Sequence, residues 1–255
     1  MTAQAGGEPR TIKLVIEYDG SNYAGWQAQK NGAGVQEAVE RAIFRVTGER
    51  LRIAASGRTD AGVHALGQVA TFRTESAIPA GKFAAALNAH LPADVAVLSS
   101  EEVPAGFHAR KSVKSKTYRY RILNRPARPA LDRGKVYHLV PKLDIEAMKR
   151  AARLLVGRHD FRAFTPVAAV KPGGYEREVF SLEVHRRGDR VDIEVSGSGF
   201  LYNMVRCIAG TLIEVGRGRR PPEDVKAVLD SRDRRKCGPT APACGLCLVR
   251  VEYGE

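Results

Sequence analysis

Thr11-Ile12-Lys13-Leu14-Val15-Ile16-Glu17-Tyr18 alternates in polarity and is rich in β-branched residues, so it reads as a strand. Asp19-Gly20-Ser21-Asn22 behind it is turn chemistry. Val35 to Thr47 then places apolar residues at Val35, Ala38, Val39, Ala42, Ile43 and Val46, a helical stripe that Gly48 ends. Leu51 to Ala55 reads as a short strand, Gly57 to Gly62 as a loop and Gln68 to Phe72 as a returning strand. Pro79 suits the first turn of a helix running to about Leu91, and Asp94 to Leu98 closes as a strand. The order is βαββαβ.

The second half repeats it, with extra material. Lys116 to Leu123 is a strand with Tyr118, Tyr120 and Ile122 on one face. Asp144 to Val156 is a helix capped by Asp144. Val179 to Arg186 and Arg190 to Val195 form a hairpin across Arg187-Gly188-Asp189. Leu201 to Val215 and Glu223 to Leu229 are helices, and Leu246 to Tyr253 is the last strand. Two split-βαβ (ferredoxin-like) halves are therefore expected, residues 11–105 and 106–255. They would join into one mixed, mostly antiparallel α+β sheet flanked by helices, with a cleft between the halves.

The 255 residues carry a formal charge of +13, with 44% hydrophobic and 27% charged residues, enough for a packed core and against wholesale disorder. Residues 1–105 have a net charge of −1 and residues 106–255 a net charge of +14. Arg110 to Arg128 holds eight basic residues, no acid, and Tyr118 and Tyr120 among them. A one-sided basic surface draws phosphate backbones by counterion release, and interleaved aromatics can stack on bases. The same charge also serves as a solvated, solubilising face. No apolar run approaches the roughly 20 residues of a membrane span, and Met1 to Arg10 lacks an apolar leader. Four Cys in this length make no disulfide framework, so the cytoplasm is the expected compartment.

Ser56-Gly57-Arg58-Thr59-Asp60-Ala61-Gly62-Val63-His64 is the most unusual stretch. Its glycines permit a tight backbone, and Arg58 lies two residues before Asp60. A nearby cation keeps a carboxylate ionised, and an ionised, positioned carboxylate serves as nucleophile or general base. An Asp that stabilises its own turn fits the pattern as well. His64, His108 and His159 read as packed or capping histidines rather than ligands. Cys244-x-x-Cys247 with Cys237 lacks a fourth zinc ligand, and Cys207 and Cys247 read as small buried hydrophobes. Gly197 to Arg206 joins a strand to a helix but is neither a P-loop nor a dinucleotide fingerprint. Arg206, flanked by Val205 and Cys207, suits a partly buried, paired guanidinium.

Several blocks together resemble the TruA family of tRNA pseudouridine synthases. They are Tyr18-Asp19-Gly20, Tyr23-Ala24-Gly25-Trp26-Gln27, Gly57 to Ala65, Phe107-His108-Ala109-Arg110, Lys116-x-Tyr118-x-Tyr120, His159-Asp160-Phe161, Gly199 to Arg206 and Thr240-Ala241-Pro242-Ala243 ahead of Gly245-Leu246. Lys111, where the family often has an apolar residue, and the C-terminal cysteines depart from the pattern. The resemblance implies isomerisation of uridine to pseudouridine at positions 38, 39 and 40 of the tRNA anticodon arm. It implies a homodimer binding one tRNA across both subunits, without cofactor or metal. It implies Asp60 as the essential carboxylate, with Arg206 as its ionic partner. Tyr118 would stack on the uracil, Leu246 would pack on the other side, and Arg58 or Arg110 would fill the space of the flipped base. Two other classes use part of the pattern: a non-catalytic RNA-binding module, and a metal-dependent nuclease built on Asp60 and Asp19, which lacks a third acid.

Overall fold

The computed structural model describes residues 8–27, 32–166 and 174–254, so most of the Met1–Arg10 stretch read above lies outside it. Among these residues ten strands and five α-helices form a mixed α+β arrangement. They group into two units, one running to Lys114 and taking in the chain from Leu248 onward, the other Ser115–Cys247.

The first unit follows the expected βαββαβ order: β1 (Arg10–Tyr18), α1 (Val35–Thr47), β2 (Ala54–Ala55), β3 (His64–Thr74), α2 (Phe83–Asn88) and β4 (Val95–Val103). β1 lies between β4 and β3, β2 pairs with β3, and all three ladders are antiparallel. The pleat sends Ile12, Leu14, Ile16 and Tyr18 to a single buried face. Val35, Val39 and Ile43 of α1 and Phe83 and Leu87 of α2 are buried as well, and Phe83 meets Phe72 edge-on at 5.5 Å. Each such side chain contributes about 1.5–3 kcal/mol relative to exposure. Gly48 ends α1 at φ 77°, with its N–H on the Phe44 carbonyl.

Four expectations shift: the helix expected from Pro79 to about Leu91 is a 3-10 turn at Ala80–Lys82 followed by α2, and the strand expected at Asp94–Leu98 runs on to Val103 along β1. The Leu51–Ala55 strand shrinks to β2, because Ile53 gives its N–H to the Glu40 side chain instead of a neighbouring strand. The Gln68–Phe72 strand extends to His64–Thr74, because β1 offers partners from Tyr18 opposite Ala65 to Arg10 opposite Thr74.

The second unit holds β5 (Val113–Leu123) from Ser115 onward, β6 (Tyr137–His138), α3 (Ile145–Arg153), β7 (Gly157–Asp160), β8 (Glu176–Arg187), β9 (Arg190–Gly197), α4 (Met204–Gly216) and α5 (Asp224–Ser231). The strand order is β5-β9-β8-β7, antiparallel throughout, with β6 parallel to β5. The hairpin turns on Gly188 at φ 59°, with Arg187 opposite Arg190. Asp144 caps α3 by accepting the Ala147 N–H at 2.9 Å. α4 starts at Met204 rather than Leu201, because Asn203 is left-handed at φ 57° and no helix runs through that conformation. All of α4 is buried apart from Arg206 and Glu214. The last strand, β10 (Leu246–Tyr253), has the expected bounds and lies beside β3.

Candidate active site

The loop carrying Asp60 connects β2 to β3 and is held at every step. At its start, fully buried Gln68 accepts from Ser56 Oγ (2.6 Å) and donates to the Gly57 carbonyl (2.9 Å). In the middle, the Thr59 carbonyl accepts the Trp26 N–H at 3.0 Å. The Thr59 hydroxyl shares a buried hydrogen bond of 2.7 Å with the Tyr18 phenol. The Asp60 carbonyl accepts from Val63 N–H at 3.1 Å, which closes a turn around Gly62 at φ 75°. At the exit, the buried His64 accepts the Gly20 N–H on Nδ1 at 3.1 Å. Asp60 itself is half-buried on this frame.

The wall behind the loop is backbone. A Cβ on Gly20 would lie 2.0 Å from the Val63 carbonyl oxygen, and one on Gly25 would lie 2.5 Å from that of Thr59. Gly25 also has φ 105°, so only glycine lets the two segments touch. The segment is tied in turn to α1, whose Val35 and Gln36 N–H groups donate to the Gly25 and Trp26 carbonyls. This accounts for the Tyr18-Asp19-Gly20 and Tyr23-to-Trp26 blocks: they form the seat of the Asp60 loop.

Arg58 and Arg110 are exposed on the same unit. The Arg110 turn is set by His108, whose Nδ1 accepts the Arg110 N–H at 3.1 Å, and by Tyr253, which donates to the Ala109 carbonyl at 2.7 Å. Asp19, the second acid of the nuclease reading, caps its own turn, accepting from Ser21 N–H (3.0 Å) and Oγ (2.6 Å).

Tyr118, Arg206 and Leu246 belong to the second unit. Arg206 donates from Nε to the Ala241 carbonyl at 2.7 Å and from an η nitrogen to Asn203 Oδ1 at 3.0 Å, while Ala241 N–H returns to the Arg206 carbonyl. α4 presses on the same segment: a Cβ on Gly210 would lie 1.8 Å from the Pro239 carbonyl oxygen. Tyr120 donates to the Pro242 carbonyl at 2.9 Å, and Gly245 packs against the Tyr120 ring. The chain thus reaches the buried Leu246 along a track fixed by α4 and β5. Gly210→Ala is expected to destabilise by about 1–3 kcal/mol through overpacking; denaturant unfolding at an unchanged slope checks it.

Tyr120 is a core residue, not a stacking surface. It is fully buried, and burial pushes its phenol well above the usual range. Tyr118 is 9% exposed, with Phe200 edge-on at 5.4 Å. Cys237 packs on Thr211, whereas Cys244 donates to the Val136 carbonyl. No group of three or more potential metal ligands occurs among the described residues. The residues that sequence reasoning passed over are Tyr18, Thr59 and Gln68. Tyr18 and Thr59 stand inside quoted blocks, but nothing in a linear reading pairs them.

A family profile described as tRNA pseudouridine synthase matches residues 14–110 and 151–254. The chain is 50% identical over 248 residues to tRNA pseudouridine synthase A 2 of Clostridium perfringens (strain 13 / Type A), spanning 96% of this chain and 100% of that one. It is 49% identical over 244 residues to tRNA pseudouridine synthase A of Pelobacter propionicus, with 96% and 100% covered. The corresponding protein of Acetivibrio thermocellus is 48% identical over 244 residues, with the same coverage. Among solved structures, the archaeal box H/ACA sRNP Nop10–Cbf5 complex is similar at 12% identity and a TM-score of 0.37, over 94% of this chain and 48% of that chain.

Proposed function

Since this chain belongs to the tRNA pseudouridine synthase family, isomerases that convert uridine to pseudouridine, we propose that Asp60 is the carboxylate with which it isomerises uridines 38, 39 and 40 of the tRNA anticodon stem-loop. The observation that carries the reading is the Asp60 loop. An acidic residue on backbone fixed by Gln68, Tyr18, Trp26 and His64 is preorganised in the way chemistry requires and a solvent-exposed turn does not.

The reaction breaks the N1–C1′ bond, turns the uracil and rejoins it through C5. The target base must first leave the stack, at a cost of a few kcal/mol. Asp60 then attacks the ribose or the base, or removes the C2′ proton; each route ends with a C5–C1′ bond and loss of the C5 proton. Arg206 is the ionic partner that keeps Asp60 charged. Tyr118 stacks on the uracil and its hydroxyl assists the late transfer from C5, with Leu246 on the other side of the base. Arg58 or Arg110 fills the vacated position in the stack. The +14 of residues 106–255 supplies the phosphate contacts. The enzyme works in the cytoplasm as a homodimer that binds one tRNA across both subunits.

Purified protein and tRNA carrying tritium at C5 of uridine, with and without chelator, test this proposal. Tritium release is the expected result. Strand cleavage that chelator abolishes would replace it with the nuclease, and binding without release would replace it with the RNA-binding module.

A further inference from the structure

We propose that the buried hydroxyl pair of Tyr18 and Thr59 is a positioning device for the Asp60 carboxylate; the proposal rests on Asp60 being the reacting group. Three residues from two parts of the chain converge on the residue immediately before Asp60. The Tyr18 phenol reaches its hydroxyl at 2.7 Å, Trp26 N–H reaches its carbonyl at 3.0 Å, and Gly25 lies so close that a Cβ would sit 2.5 Å from that carbonyl oxygen. Side chain and main chain of Thr59 are therefore both held, and Thr59 is itself 7% exposed.

Peptide planarity carries that constraint into Asp60. The Thr59–Asp60 amide is rigid, so fixing the Thr59 carbonyl orients the plane from which Asp60 departs. The Val63 N–H on the Asp60 carbonyl fixes the plane beyond it. Between two held planes the direction in which the Asp60 side chain leaves the backbone is set.

The anchor is itself rigid. Tyr18 ends β1, which is paired on both sides, opposite Ala65 in β3 and Val95 in β4. Its ring is 3% exposed and lies 6.0 Å from that of Trp26, the residue that grips the Thr59 carbonyl. The Trp26 N–H sets the peptide plane, and the hydroxyl pair sets the Thr59 side chain that shares its Cα. Loss of the pair leaves a buried hydroxyl without this partner, and Thr59 then turns to find another.

Tyr18→Phe, Thr59→Val and Thr59→Ser, assayed on tRNA in single and multiple turnover, test the inference. Tyr18→Phe and Thr59→Val are expected to lower kcat by roughly 10- to 100-fold with KM for tRNA within about twofold, because misplacing a reacting group by a fraction of an ångström acts on the chemical step. Thr59→Ser, which keeps the hydroxyl, is expected to restore most of the rate, and the double variant to be no slower than the slower single one. An unchanged kcat in folded Tyr18→Phe overturns the proposal, as does a rate loss matched by an equal loss of tRNA binding. Asp60→Asn in the same assay separates the two claims. Full turnover by Asp60→Asn removes the catalytic reading of Asp60 and the positioning role with it. An inactive Asp60→Asn beside an unimpaired Tyr18→Phe removes only the positioning role.

Discussion

Asp60→Ala is expected to lose pseudouridine formation by roughly four orders of magnitude or more while tRNA affinity stays within about tenfold, as when an enzyme loses a residue that makes and breaks bonds. The separation of the two effects follows from where the interactions lie. Three bonds that hold the loop around Asp60 use main-chain groups or other side chains: the Thr59 carbonyl on Trp26, the Asp60 carbonyl on Val63, and Gln68 on Gly57. Alanine retains every one of them, so the backbone keeps its course. Affinity, in turn, is expected to come mainly from basic residues, since residues 106–255 carry +14. Removing one negative charge does not weaken that attraction. Tritium release from C5 and filter binding on the same preparation measure the two quantities. Turnover near the wild-type rate would sink the assignment, and loss of binding in proportion to turnover would make Asp60 a binding residue instead.

Gly25→Ala is expected to cost roughly 2–6 kcal/mol of stability, from backbone strain and overpacking of about 1–3 kcal/mol each. At φ 105° an alanine is strained in its own backbone, and its Cβ would lie 2.5 Å from the Thr59 carbonyl oxygen and 3.1 Å from the Asp60 carbonyl carbon. Neither atom is the end of a flexible side chain, so relief requires the Asp60 loop or its seat to move. Such a loss is a large share of a typical total of about 5–15 kcal/mol. Gly48→Ala is the internal control: φ there is 77° and nothing lies within 4 Å of the added carbon. That variant pays for conformation alone, about 1 kcal/mol. Denaturant unfolding of both variants isolates the close approach as the difference. Equal losses would show that Gly25 is chosen for its dihedral and not for its contact with the loop. Where Gly25→Ala folds in the cold, turnover should still be impaired, because the atoms displaced are those that carry Asp60.

Legibility varied along the chain for identifiable reasons. α1 and β10 have the bounds that their apolar patterns and the Gly48 stop indicate. β7 could not be read: Gly157-Arg158-His159-Asp160 has no alternation, and it is a strand because β8 offers Glu176 to Val179 as partners. Tyr118 and Tyr120 share a face, as two-residue spacing requires. Yet Tyr120 is sealed under Gly245 with its hydroxyl on the Pro242 carbonyl, which no spacing rule contains.

The site divides in the same way. Periodicity, turn chemistry and motif order act over a few residues, so the sequence by itself determined the βαββαβ order of the first unit, the lopsided charge and Asp60 as the acid to examine, whereas β6 and β7 in the second unit depend on partner strands. Which groups hold that acid depends on partners far apart in the chain. Tyr18 and Thr59 are 41 residues apart, Gly20 and His64 are 44, and Arg206 and Ala241 are 35. Such pairs meet only after β1 has been placed beside β3 and α4 has been packed on the segment before β10. Tertiary structure alone therefore decided that Gly20 and Gly25 are walls, that Thr59 is clamped from two sides, and that Arg206 braces the track to Leu246.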